Sequence, residues 1–293
     1  MIALLNARFA FRLREADVSL RLVIDWFENQ VGDKGWNAGF NLAYPNIPSL
    51  GYMGFINTDF YLCAKPTVSE KRSQLLPKTI CVMGRGMIGA LGEFCPGLNV
   101  ETAPAFRFSH LQNAPQQPTT DNGSHFNVLV ALPFSKRDSL RIMTLVGVAA
   151  EKLPGKVTFC LKKHPTAPET AMPQTADGKS KFSWVDGEFN DLLEKTDLLI
   201  STASSVCMES IVTGTPVIVV GDPSGLTLHP IPDSVAPGLW RLIYGPDDFI
   251  AAITFYKDRT AEAIRHHQVQ GKMIRSEYFS PVTKGRVRAF LRL

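Results

Sequence analysis

Two turns in the second half of the chain carry residue types suited to holding an oxyanion. In "VTFCLKKHP" an apolar run ends in Lys162, Lys163, His164 and Pro165, and in "LLISTASSVCMES" a second apolar run ends in a Ser/Thr cluster containing Ser204 and Ser205. Hydroxyls and unpaired backbone N–H groups at a helix start bind phosphate oxygens together, because the helix dipole adds positive potential there. An imidazole that titrates near neutrality donates to a phosphate or assists a leaving group. Glu209 lies one helical turn after Ser205, where it can hold a ribose hydroxyl or pair with a lysine. Structural roles compete with these: either serine can be a plain N-cap, and His164 a hydrogen-bonded residue at a strand end. The two turns face one crevice if their strands are neighbours in a parallel sheet, since ligands bind beyond the carboxyl ends of such strands.

Elements that would position these residues alternate along the chain. Apolar runs at 21–27, 49–55 and 79–84 predict buried strands, with helix-compatible stretches at 32–45 and after Lys65. The segment 109–125 is rich in Pro, Gln, Asn, Thr and Gly and reads as a linker. Beyond it come a strand at 126–132, an amphipathic helix at 139–153 capped by Ser135 or Asp138, and a strand at 156–165. A polar loop (166–181), a short helix from Phe189, a strand from Asp197, a helix closed by Gly214 and a strand at 216–221 complete the series. Residues 262–293 read as helix, loop, helix. The alternation predicts an α/β protein with parallel sheets covered on both faces. Its domains are a short Rossmann-like one at 1–110 and a complete doubly wound one at 126–280.

Bulk composition excludes several classes of function. A length of 293 residues suits two domains, and 45% apolar with 20% charged residues is the balance of a soluble globular chain with no membrane-spanning run. The net charge of +4 suits an anionic substrate or a lipid surface and falls short of a nucleic-acid footprint. Five cysteines, at 63, 81, 95, 160 and 207, lack CxxC spacing and predict buried free thiols in a reducing compartment. The first residues lack a signal peptide's apolar core and cleavage site, which predicts a cytoplasmic protein. His266 and His267 have no partner at metal-ligand spacing and read as solvated; with no DxD pair at a strand end, neither a metal nor a cofactor is expected.

The segment "LLEKTDLLISTASSVCMESIVTGTPVIVV" resembles the donor-binding half of GT-B glycosyltransferases. With "KKHP" upstream, it more narrowly resembles bacterial surface-polysaccharide transferases with His-Pro and Ser-Ser motifs, such as sialyl-, polysialyl- and Kdo-transferases, and more distantly CDP-glycerol phosphotransferases. The likeness is strong over 126–255. "WFENQVGDKGWNAGF" (26–40) is similar to the Glu-Asn-Gln segment of GT-B-like surface-carbohydrate biosynthesis proteins.

This resemblance implies a GT-B-like fold of two Rossmann-like domains, the first one short or truncated, with a C-terminal helix (281–293) packing back on it. It implies that Lys163, His164, Pro165, Ser204 and Ser205 engage the donor's phosphate and that Glu209 meets the ribose. On the acceptor side Glu28, at a strand end, is the candidate general base, and Asn29, Gln30 and Trp36 line a groove. The implied function is metal-independent transfer of a sugar from a nucleotide-activated or phosphorylated donor, CMP-linked in some of those families, to a glycan or glycolipid. Such products belong to capsule or lipopolysaccharide, made in the cytoplasm or peripherally at the inner membrane. "VGDKG" and "DGEF" match the acidic-Gly motif of sialyltransferases poorly, which speaks against a sialyl donor. The alternatives are a sugar-nucleotide 2-epimerase, a CDP-alditol phosphotransferase, or a non-catalytic GT-B-like assembly partner.

Overall fold

The computed structural model describes residues 1–57, 60–114, 116, 125–153, 156–166 and 182–293. Most of the expected linker, at 115 and 117–124, and the loop residues 167–181 lie outside the described residues. Two compact units form: residues 1–112 with 275–293, and residues 113–274.

The first unit begins with α1 (Ile2–Glu15), β1 (Val23–Trp26), α2 (Val31–Ala43) and β2 (Ser49–Met53). It continues with α3 (Val68–Arg72), β3 (Thr79–Val82), α4 (Ile88–Leu91) and β4 (Val100–Thr102). The four strands are parallel in the order β1-β2-β3-β4. β2 and β3 are buried at every position, which is why both read as unbroken apolar runs. β4 was not expected from the sequence; it is three residues long and half-exposed.

Nor was α1 expected. Its inner side consists of Ala3, Ala7 and Ala10, so no stripe of large apolar residues betrays it. That side lies directly on α2, where a Cβ added to Gly35 would stand 2.0 Å from the Ala3 carbonyl oxygen and one on Gly39 2.6 Å from the Ala7 Cα. Glycine lets the two backbones touch. Trp36 stacks on Phe9 at 6.0 Å and meets Phe40 at 4.6 Å, extending a small core of Ala10, Val23, Phe40 and Tyr44.

The second unit contains β5 (Phe126–Ala131), α5 (Lys136–Lys152), β6 (Val157–Lys162), β7 (Phe182–Trp184), α6 (Phe189–Leu193) and β8 (Leu198–Ser201). It continues through α7 (Val206–Ile211), β9 (Val217–Val220), β10 (Trp240–Ile243), α8 (Pro246–Lys257) and α9 (Ala261–Tyr278), and the division between units falls inside α9. Its six strands are all parallel in the order β10-β9-β8-β5-β6-β7. The chain therefore reverses direction across the sheet at β5, the topological switch point of a doubly wound fold. Ser135 caps α5, its Oγ accepting from the Asp138 amide at 3.3 Å, and Gly214 at φ +83 supplies the left-handed residue that ends α7. The core includes Val128, Val130, Phe159, Ile200 and Ile218 from the sheet, Ile142 and Val146 from α5, and Phe249 and Tyr256 from α8.

The condition for the two turns to share one crevice, that β6 and β8 be neighbours, is not met, because β5 pairs with both. Pairing order within a sheet is set by long-range packing and is not written in either strand. β7, β10 and α8 were also missed.

The chain closes with α10 (Lys284–Phe290), part of the first unit. There the Phe290 ring lies 5.6 Å from those of Tyr52 and Phe106, and Arg292 donates to Glu101 at 2.9 Å. Among the described residues no helix is long and apolar enough to cross a membrane. All five cysteines are free; Cys81, Cys95 and Cys207 are buried, but Cys63 is exposed.

The α1–α2 seam makes a testable claim. Gly35→Ala should cost about 1–3 kcal/mol by overpacking, while Gly89→Ala, whose new carbon meets nothing within 4 Å, should match or slightly exceed the wild type. Urea melts of the two variants compare them, and equal midpoints would refute the tight seam.

Candidate functional site

At the carboxyl edge of the second sheet the turns after β5, β6 and β8 emerge side by side, because the three strands are parallel. β6 and β8 flank β5, so their ends stand about 10 Å apart at roughly 4.8 Å per strand step. The central turn ties the outer two together. Ser201, ending β8, donates its buried hydroxyl to the Ala131 carbonyl of β5 at 2.8 Å. Phe134, just after β5 and 62% exposed, sets its ring edge-on to His164 with centroids 5.8 Å apart.

His164 is half-buried. Its Nδ1 lies 3.3 Å from the Thr166 amide and 3.1 Å from the Thr166 hydroxyl. An amide can only donate, so Nδ1 is the acceptor and the neutral ring carries its proton on Nε2. Lys163 places its ammonium 5.2 Å from the centroid of Trp184, while Lys162 turns away to donate to the Gly187 carbonyl at 2.6 Å. Pro165 is exposed.

At the β8 turn, Ser205 precedes α7 with helical φ −57 and ψ −24. Its side chain therefore makes no cap; the hydroxyl donates to Glu209 Oε1 at 3.3 Å, and Glu209 is buried. The Ser204 amide is occupied by the Thr202 carbonyl at 2.8 Å. Among the described residues, the Ser205 and Val206 amides that follow have no backbone or side-chain acceptor. They are the unpaired donors that every helix start leaves open.

A clamp that sequence reasoning missed holds the neighbouring turn after β9. Arg141 of α5 donates to the Gly221 carbonyl at 2.6 Å and to Asp222 at 3.3 Å, and it also pairs with Asp138. Asp222 takes a further contact from Arg137 at 3.5 Å, and donation from the Ser224 hydroxyl and amide holds its carboxyl below the usual range. The Arg-Asp spacing at 138 and 141 on a predicted helix was the available signal.

The acceptor-side candidates belong to the first unit, where β1 gives way to α2. Asp33 Oδ2 accepts from the Glu28 and Gln30 amides, both at 2.9 Å, and so fixes the turn. Glu28 is half-buried and accepts from the Trp26 indole at 2.7 Å; Gln30 is exposed and donates to the Tyr61 hydroxyl at 3.1 Å. Asn29 is no groove residue. It is 3% exposed with φ +60, and its amide reaches the Cys63 carbonyl at 3.1 Å and the Glu70 carboxylate at 3.4 Å, pinning the turn to the following loop. Burial pushes the Glu70 carboxyl up, yet hydrogen bonds from Lys34, Thr67 and Asn29 outweigh it and leave the group below its ordinary value. Trp36 also departs from expectation: it packs in the α1–α2 core, because its helix turns it toward Phe9 and Phe40.

Of the two adjacent histidines, His266 is exposed as expected, but His267 needs the same correction. His267 is 5% exposed, with Nδ1 3.0 Å from Arg259 Nη1, and burial followed by the Arg259 charge pushes it down to about 4. Among the described residues no group of three His, Cys, Asp or Glu could hold a metal ion.

Asp25, inside β1, is the most perturbed acid of the first unit and was not anticipated. Burial, then the charge of Asp33, pushes it up to about 7 against a 3.0 Å hydrogen bond from Asn37. Its signal was visible as an acid within the apolar run "VIDW".

No family model matches the chain, and no curated protein matches it in sequence. Solved structures do. The UDP complex of S. aureus MnaA aligns with TM-score 0.59 at 12% identity, covering 100% of this chain and 81% of that chain. UDP-GlcNAc 2-epimerase from Neisseria meningitidis bound to UDP-GlcNAc gives TM-score 0.54 at 15% identity over 98% and 81%. The glycotransferase of kitacinnamycin gives 0.56 at 11% over 98% and 79%. The chain has the GT-B-type fold, with two Rossmann-like α/β units.

Asp25 generates a pH-dependent expectation. The unfolded chain ionises this carboxyl near 3.8 and the folded chain only near 7, so its ionisation costs stability as pH rises through that window. Asp25→Asn should therefore melt higher than wild type by a margin that grows from pH 4 to pH 7 and then levels off. A margin independent of pH in thermal melts would rule this out.

Proposed function

We propose that this chain is a metal-independent GT-B glycosyltransferase that moves a sugar from a nucleotide-activated donor to a glycan or glycolipid acceptor. The observation that carries the proposal is the assembly of hydrogen-bond donors at the carboxyl edge of the second sheet. His164 Nε2–H, the Lys163 ammonium, the Ser204 and Ser205 hydroxyls and the unpaired Ser205 and Val206 amides all suit oxyanions. A ligand that engages both turns must reach across β5, about 10 Å. A nucleoside diphosphate can do so, whereas a single phosphate cannot.

As the bond from sugar to donor breaks, negative charge grows on the departing phosphate oxygen. Donors already held in place stabilise that charge at little reorganisation cost, which lowers the barrier. Glu209 is held by Ser205 and accepts a hydroxyl of the donor's ribose beside it. Glu28 is the proposed acceptor base, taking the proton of the attacking hydroxyl, with Gln30 beside it. Its indole partner keeps the carboxylate oriented. A capsule or lipopolysaccharide acceptor, and a cytoplasmic location peripheral to the inner membrane, belong to the same proposal. What supports the lipid surface is α1, which exposes Ile2, Leu4 and Leu5 beside Arg8 and Arg12, two arginines that share the single carboxylate of Glu15.

The likeness to a UDP-GlcNAc 2-epimerase favours a second reading, in which the chain converts a free nucleotide sugar with no acceptor.

Calorimetry with UDP, CMP, CDP and GDP, followed by nucleotide release from the matching sugar donor, tests both readings. At least one nucleotide should bind, and the His164→Ala, Ser205→Ala double variant should bind it at least tenfold more weakly. Equal binding by the double variant refutes the site. Sugar conversion without acceptor selects the epimerase.

A further inference from the structure

We propose that the first unit carries a second ligand site, specific for a small organic oxyanion, at the amino edge of its sheet. This is the edge opposite the one where Glu28 and Gln30 stand. A cavity of about 340 Å³ opens there between the end of α2, the segment from α3 to β3, and the approach to β4. That volume is at the small end of the range for ligand pockets.

Two lysines of its wall give the cavity its sign. Lys71 donates to the Gly97 carbonyl at 2.6 Å, and Lys78 donates to the Ile47 carbonyl at 2.7 Å and to that of Pro45. Backbone carbonyls hold the two ammonium groups in place without neutralising them. The wall contains no Asp or Glu, and among the described residues neither lysine meets a carboxylate. An ammonium has three donors, so Lys71 keeps two for a ligand and Lys78 keeps one. Leu76 and Ile80, both buried, supply an apolar base that favours an oxyanion with a compact carbon body over a bare ion.

Gln74 is the independent observation. It occupies the wall at φ +57, directly after α3, with its amide on the Lys71 carbonyl at 3.1 Å and the next amide on Glu70 at 3.0 Å. This is the left-handed helix-ending position where glycine is the unstrained choice. Glutamine takes this position at a conformational cost, and its carboxamide offers an oxyanion two further N–H donors.

Titration calorimetry of the full chain with inorganic phosphate, phenyl phosphate and benzoate tests the site, and the last two separate phosphate from carboxylate preference. At least one organic probe should bind saturably and more tightly than inorganic phosphate. Lys71→Gln with Lys78→Gln keeps an N–H for each carbonyl but removes both charges, and should weaken binding at least tenfold. Gln74→Gly should melt at the same or a higher temperature yet bind more weakly. His164→Ala, Ser205→Ala should leave this binding unchanged, which separates it from the carboxyl-edge site of the second unit. The proposal is overturned if no organic probe binds, if the double lysine variant binds like wild type, or if Gln74→Gly binds unchanged.

Discussion

The placement of every turn of the second unit's sheet depends on its six strands running in one direction. Parallel pairing sends every strand's carboxyl end, and the turn into the next helix, to the same edge. No local sequence feature has to bring His164 and the serines to that edge: each is delivered there by its own strand. What remains for side chains is the finer task of fixing one turn against the next. The Ser201 hydroxyl on Ala131 and the Phe134 ring against His164 do this across β5, and Arg141 does it for the turn after β9. The two hydrogen bonds are short and at least partly buried, so they position without depending on solvent-exposed ion pairs, which contribute little.

The two units solve the charge problem in opposite ways. The carboxyl edge of the second gathers N–H and O–H donors, whereas β1 and the elements around its carboxyl end in the first carry four carboxylates: Asp25 in β1, Glu28 in the turn, Asp33 in α2 and Glu70 in α3. Burial makes such a cluster costly unless each acid is partnered or protonated. Lys34, Thr67 and Asn29 keep Glu70 ionised, and Asp33 spends its charge on backbone amides at the start of α2. Asp25 lacks comparable help and holds its proton toward neutrality. Glu28, half-buried, accepts from the Trp26 indole N–H.

Much of this was legible in the sequence, and the exceptions share a physical cause. Fully buried strands such as β3, β8 and β9 read clearly because both faces are apolar. Ser135 and Gly214 marked helix ends because capping chemistry is local. The α/β class followed from their alternation. What escaped was whatever depends on partners far along the chain. Whether β6 and β8 are neighbours is open in the sequence, and only three-dimensional packing puts β5 between them. The first helix hides behind alanines that matter only because glycines face them. His267 looks solvated until Arg259 closes over it, and Trp36 looks like a sugar platform until Phe9 stacks on it. The candidate site divides the same way. Residue types at strand ends were visible, but the partners that fix or commit them, Thr166 for His164 and Cys63 for Asn29, were not.

Backbone strain sorts these residues further. Among the described residues four non-glycine residues adopt positive φ, Asn29 and Gln74 among them. Asparagine is the residue best suited among non-glycines to the left-handed region, and the buried amide contacts of Asn29 return a structural benefit for its conformation. Gln74 has neither advantage: it is exposed, and no side-chain preference favours its φ. The same backbone angle thus carries opposite meanings in one small unit. At Asn29 the fold itself accounts for the strain, and at Gln74 the fold alone would be better served by glycine.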